Sequence, residues 1–187
     1  MNPETYKELI IPPHQVNKKA LVAIGPMVGL YVLLYAVMWN DHFSWEAIRE
    51  AIPANPLTLF AVLLGGIFLH EGLHGLTWAI FSKNGFRSIR FGFMLKLLAP
   101  YCHCKEPLKT PHYILGGLAP GLALGVAPSV YALISGNMSW LLFGILFTVA
   151  AGGDFAMMWL LRNIARNRWI KDHPSQLGCY IYEDPNT

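Results

Sequence analysis

Charge is scarce in this sequence. Lys, Arg, Asp and Glu together make up 13% of its 187 residues, about half the share in an ordinary soluble domain. A chain so poor in charge and 54% apolar is not disordered, is not a nucleic-acid binder and is not a typical soluble enzyme. Cysteine is rare as well. Three residues, Cys102, Cys104 and Cys179, cannot close a disulfide framework. There is no internal repeat and no low-complexity tract.

What is abundant is apolar sequence in long runs. Crossing about 30 Å of hydrocarbon takes roughly 20 residues. Four runs qualify, at about 21–39, 57–81, 113–134 and 140–161, and none contains a Lys or Arg. Trp39, Phe81, Tyr113 and Trp140 mark their ends, as an interfacial aromatic belt does. The first run does not read as a signal peptide: it is long, it starts some twenty residues into the chain, and no small-x-small cleavage site follows it.

The basic residues then set sides. Lys7, Lys18 and Lys19 precede the first run, and Arg49 follows it. Lys83, Arg87, Arg90, Lys96, Lys105 and Lys109 lie between the second and third. None lies in the turn at 135–139, and Arg162, Arg166, Arg168 and Lys171 follow the fourth. The series 3, 1, 6, 0, 4 alternates, so the positive-inside rule puts both termini and the middle segment in the cytoplasm. The three cysteines then face a reducing compartment.

The expected fold is an all-α polytopic membrane protein. It has one integral domain over 1–187, four transmembrane helices, and a cytoplasmic tail at 162–187. A short external helix is expected at 41–52, capped by Ser44 and stopped by Pro53. The segment 86–107 reads as a β-hairpin at the cytoplasmic membrane edge, between the second and third spans. Pro120 and Pro128 should bend or break the third span. Residues 162–171 should prolong the fourth helix until Pro174 ends it.

Four ionisable residues lie inside the spans: His70, Glu71, His74 and Asp154. Such groups are expensive in hydrocarbon and usually face a bundle interior, paired or functional. His70-Glu71-Gly72-Leu73-His74 fits H-E-x-x-H. On a helix, positions i and i+4 share a face, so both imidazoles reach one ion, and the adjacent Glu can act as general base. Zinc needs a third protein ligand and an open position, and Asp154 is the remaining intramembrane candidate. Counted from the span midpoints at about 1.5 Å per residue, it lies at a depth between the two histidines. Cys102-His103-Cys104 lacks the C-x₂-C spacing of a zinc knuckle and reads as a hairpin with packed thiols. His14, His42, His112 and His173 lie outside the spans and receive no role.

The intramembrane H-E-x-x-H helix and late Asp resemble the site-2 protease-like intramembrane zinc metallopeptidases. The likeness is nearest to an uncharacterised bacterial group of putative zincin peptidases. His103-Cys104-Lys105-Glu106-Pro107-Leu108, the stretch 116–120, Gly152-Gly153-Asp154 and Asp172-His173-Pro174-Ser175 carry the rest of the likeness, which runs over about 57–178. The resemblance implies His70, His74 and Asp154 as zinc ligands and Glu71 as the catalytic base. One departure stands out. Better-known members carry an Asn-Pro element before the ligand Asp, where this chain has Gly152-Gly153. Substrate clamping and oxyanion stabilisation are therefore left without an assigned residue.

The functional expectation is a Zn²⁺-dependent endopeptidase in the plasma membrane, acting on membrane proteins or peptides, embedded in the lipid bilayer and without a nucleic-acid partner. Two rivals use the same residues. One is a non-proteolytic metal-binding protein or divalent-cation transporter, which needs polar groups along a path that these spans lack. The other is a non-catalytic scaffold, which gives no reason for an intact Glu71.

Overall fold

A computed structural model describes residues 6–94, 99–174 and 176–183. In chain order the elements are β1 (Tyr6–Ile10), α1 (Pro13–Met38), α2 (Trp45–Ala51), α3 (Pro56–Phe81), β2 (Ile89–Met94), β3 (Ala99–Cys104), β4 (Leu108–Lys109), α4 (Thr110–Pro120), α5 (Ala127–Ser135), α6 (Met138–Ala150), α7 (Gly152–Leu161), β5 (Trp169–Asp172) and β6 (Gly178–Tyr182). The long helices begin where local chemistry starts them. α1 and α3 open on Pro13 and Pro56, at the position where a missing N–H is harmless. The Asn55 side chain accepts the Leu57 N–H at 2.8 Å. Ser44 caps α2 through the Ala47 N–H at 3.1 Å, as its sequence signals.

Among the described residues, three helices are long and apolar enough to cross a membrane: His14–Met38, Pro56–Phe81 and Thr110–Ser135. A fourth crossing exists if α6 and α7 are taken together, but they meet at a 54° bend. The continuous fourth helix expected at 140–161 is thus corrected. Ala151 leaves the helix with ψ near 6°, and Gly152 and Gly153, both poor helix formers, follow it. Gly152 also lets α7 approach α1, since a Cβ there meets the Ala20 methyl at 3.0 Å. In the third span the prolines bend no break into the chain. The helix runs through them from 110 to 135 by way of a π-helical segment, Gly121–Val126. A wider turn of this kind accommodates backbone groups that a proline leaves unpaired.

The all-α expectation is corrected too: the fold is mostly helical but carries two small antiparallel sheets. One is the expected hairpin, β2 with β3, in register from Ile89 opposite Cys104 to Met94 opposite Ala99. Its connecting residues 95–98, among them Lys96, lie outside the described residues, as does Ser175. The other sheet, in the order β1-β6-β5-β4, joins both chain ends to the segment before α4. The helix expected over 162–171 stops at Leu161 instead, and β5 begins at Trp169. Ile170 and Asp172 are buried while Trp169 and Lys171 are half-buried. That alternation has the two-residue period of a strand rather than the 3.6 of a helix.

This sheet bears on sidedness. The N-terminal segment, the segment before α4 and the tail are hydrogen-bonded to one another at one end of the molecule. At the other end the remaining connections meet: Trp39 Nε1–H donates to Leu133 O at 2.9 Å, and Ser139 Oγ–H to Ala51 O at 3.2 Å. The two ends are the two sets that the basic-residue count separates. Between them the helices expose Leu57, Phe68, Ile80 and Ile134, the apolar outer face expected of a protein surrounded by lipid.

Candidate metal centre and its cavity

Helix α3 carries His70, Glu71 and His74, and α7 carries Asp154 in its first turn, just past the bend. His70 Nε2 lies 3.2 Å and His74 Nε2 3.5 Å from Asp154 Oδ2. The three ligand atoms fall within 4.8 Å of one another. The matched depth read from the spans thus becomes contact. Both imidazoles are buried, and the Asp154 carboxylate keeps 29% of its side-chain surface open.

The donor set fits zinc, and one detail of its surroundings sharpens the fit. His74 Nδ1 lies 2.8 Å from the Gly116 carbonyl oxygen. A carbonyl only accepts, so Nδ1 carries a proton, and Nε2, turned toward His70 and Asp154, is the atom left to offer a lone pair to a metal. An imidazole nitrogen and a carboxylate oxygen this close in a buried place are joined by a proton or by a metal ion. Two imidazoles and one carboxylate make three protein ligands, the number that leaves a zinc position open. His70 Nδ1 is buried with no hydrogen-bond partner among the described residues.

Packing holds the His74 ring in place. It stacks on Trp78, with centroids 5.1 Å apart and planes at 16°, and Trp78 stacks on Tyr113 at 5.5 Å and 20°. Trp78 Nε1–H donates to Tyr113 O at 3.0 Å. Gly116 permits this, because a Cβ at that position collides with the Trp78 indole.

Glu71 does not join the three ligands. It lines a cavity of about 470 Å³ together with His74 and Asp154. The β3 residues 100–103 and Asp172 wall the other side. The backbone N–H of Cys102 is close to the Glu71 carboxylate. Two residues along the same strand edge, the Cys104 N–H donates to Asp172 Oδ2 at 2.7 Å. The edge of β3 away from β2 therefore faces the cavity.

The segment 63–168 matches the profile of a family described as "Putative zincin peptidase". The chain belongs to that family. The match covers more than half the chain and includes the H-E-x-x-H helix, the hairpin and Asp154. No curated protein and no solved structure matches it. The zincin family description and the donor geometry point to the same metal, and membership is consistent with a metallopeptidase.

Three cavity groups have no role on sequence grounds. His103 reads with its neighbouring cysteines, Tyr113 as a span end, and Asp172 only through the resemblance. All three meet at Asp172: Tyr113 Oη–H donates to Oδ1, and His103 Nδ1 lies 3.6 Å from Oδ2. No signal in the sequence marks this: Trp169-Ile170-Lys171-Asp172 does not alternate apolar with polar, and the two-residue period shows only in burial. The packed-thiol reading of Cys102-His103-Cys104 agrees with the geometry. Cys104 and Cys179 are fully buried, Cys102 is half-buried, and all three are free.

Proposed function

We propose that this zincin-family chain is a zinc-dependent endopeptidase of the site-2 protease type, working within or at the edge of the plasma membrane. Zinc is held by His70, His74 and Asp154, and Glu71 is the general base. The observation that carries the reading is the convergence of His70 Nε2, His74 Nε2 and Asp154 Oδ2 beside a cavity that His74, Asp154 and Glu71 line. When bound, zinc polarises a carbonyl and lowers the pKa of a water to about 7.

The chain's own residues do the remaining work. Glu71 takes the proton from the attacking water and passes it to the leaving amine. His74, oriented by Gly116, keeps its Nε2 unprotonated. A substrate helix must unwind first, because its peptide groups are otherwise internally bonded and shielded. The edge of β3 beside the cavity offers its backbone carbonyls to an extended segment, the Cys102 and Cys104 N–H groups being taken by Glu71 and Asp172. Substrates are membrane proteins or peptides, and the lipid bilayer is the surrounding partner. Both termini are cytoplasmic, and water enters from the end that holds the four-stranded sheet.

The test is cleavage by reconstituted protein of candidate single-span membrane substrates, wild type beside Glu71→Gln. The expected result is cleavage by the wild type and a loss of about 10²–10⁴-fold in the variant, with zinc still bound. Equal cleavage by both removes Glu71 from its role. A wild type that holds zinc and cleaves nothing across a broad panel moves the metal-binding or transport reading to first place.

A further inference from the structure

We propose that the His103–Asp172 pair is a second catalytic element: His103 Nε2–H stabilises the oxyanion of the scissile carbonyl, and Asp172 positions the ring. This rests on the peptidase reading and gives it the stabilising group that reading lacks.

The first observation is location. His103 and Asp172 line the cavity that holds Glu71, His74 and Asp154. His103 follows Cys102, whose N–H is close to the Glu71 carboxylate. A substrate in this cavity therefore lies beside both Glu71 and His103.

The second is the hydrogen bonding of Asp172. Its side chain is only 11% exposed, and a buried carboxylate needs donors. Tyr113 Oη–H and Cys104 N–H supply two, fixing the carboxylate rigidly. His103 Nδ1 lies 3.6 Å from the same carboxylate. With Nδ1 turned to Asp172, Nε2 is the polar atom the ring has left, and no hydrogen bond to it exists among the described residues. A structural role as a β3 edge cap accounts for the bonds to Cys104 and Tyr113. It does not account for an imidazole held against the same carboxylate on a cavity wall.

The third is electrostatic. Burial pushes the Asp172 carboxyl up and the His103 imidazole down. Asp172 opposes the second effect, while Lys171, Arg90 and Lys105 reinforce it. With two protons the pair is net neutral: one is on Nε2 and the other is held by Nδ1 or by the Asp172 carboxyl, which lie 3.6 Å apart, beyond hydrogen-bond length. Negative charge growing on the substrate oxygen opposite Nε2 draws the imidazole toward its protonated form. Its hydrogen bond is thus stronger in the transition state than in the ground state. Nε2 donates its hydrogen bond without giving up its proton, and the hydrolysis balances through Glu71, which carries the proton of the attacking water to the leaving amine as the C–N bond breaks.

The experiment uses the full-length, zinc-loaded protein and two probes. A phosphinic dipeptide presents a tetrahedral pair of oxygens, and a peptide hydroxamate binds the metal without imitating the tetrahedral oxyanion. His103→Ala is expected to weaken phosphinate binding on the order of 100-fold, the scale seen for lost oxyanion donors. Hydroxamate binding should stay within about threefold, and zinc content should be unchanged. His103→Gln, whose amide places an N–H near the Nε2 position, is expected to recover roughly tenfold of the loss. Phosphinate binding by His103→Ala at wild-type strength overturns the proposal. So does an equal loss of both probes with zinc retained, which marks a structural role. A zinc-loaded wild type that binds neither probe overturns the peptidase reading itself, and this inference with it.

Discussion

The ring of His74 is fixed from behind by Gly116, whose carbonyl oxygen lies 2.8 Å from Nδ1. Groups that orient a metal-bound histidine typically carry 10–100-fold of metal affinity. At position 116 a methyl group collides with the Trp78 indole that stacks on His74. Gly116→Ala is therefore expected to weaken zinc binding by roughly 10–100-fold, measured by competition with a chelator of known affinity. Unchanged affinity would show that the stack and the carbonyl do not set the ring.

The buried thiols give a pH-dependent prediction. Burial pushes Cys179 up to about 12 and raises Cys104 as well. Only the thiolate reacts, so at pH 8 Cys179 should alkylate roughly a thousandfold more slowly in the folded protein than an ordinary thiol does. The sign follows from the raised value. The folded state favours the neutral thiol, and that contribution to stability is lost as pH rises through about 12. Rapid labelling of Cys179 in folded protein at pH 8 would contradict the packing described.

With the half-buried Cys102 replaced by serine, the buried Cys104 and Cys179 leave introduced cysteines readable, and they test sidedness. Asp41 and Lys83 are both exposed, at opposite ends of the molecule by the pairing of the connections. In intact cells a membrane-impermeant maleimide should label Asp41→Cys at once and Lys83→Cys only after permeabilisation. The reverse pattern would invert the orientation and the side from which water reaches the cavity.

Much of this was legible from local sequence because the physics was local. The ligand helix announces itself through His70, Glu71 and His74 in an apolar run, and Ser44 signals the start of α2. Asp154 could be matched to them by depth, since helical rise converts residue count into distance. The four-stranded sheet was not legible. Tyr6–Ile10 pairs with Gly178–Tyr182 across nearly the whole chain, and short strands joined at that distance leave no local trace beyond alternation. The roles of His103 and Asp172 were hidden for the same reason. Their meeting depends on β5 being a strand, and a helix over 162–171 turns Asp172 elsewhere. The bend at Ala151 was written in Gly152 and Gly153, whose lack of side chains also fitted close helix packing.

The most direct measurement is the zinc content of purified wild-type protein beside folded Asp154→Ala. The account expects about one zinc per chain in the wild type, and none, or zinc readily lost to a chelator, in the variant. Undiminished, equally tight zinc in folded Asp154→Ala would contradict it, because the convergence of α7 on the α3 histidines would then have no part in holding the metal.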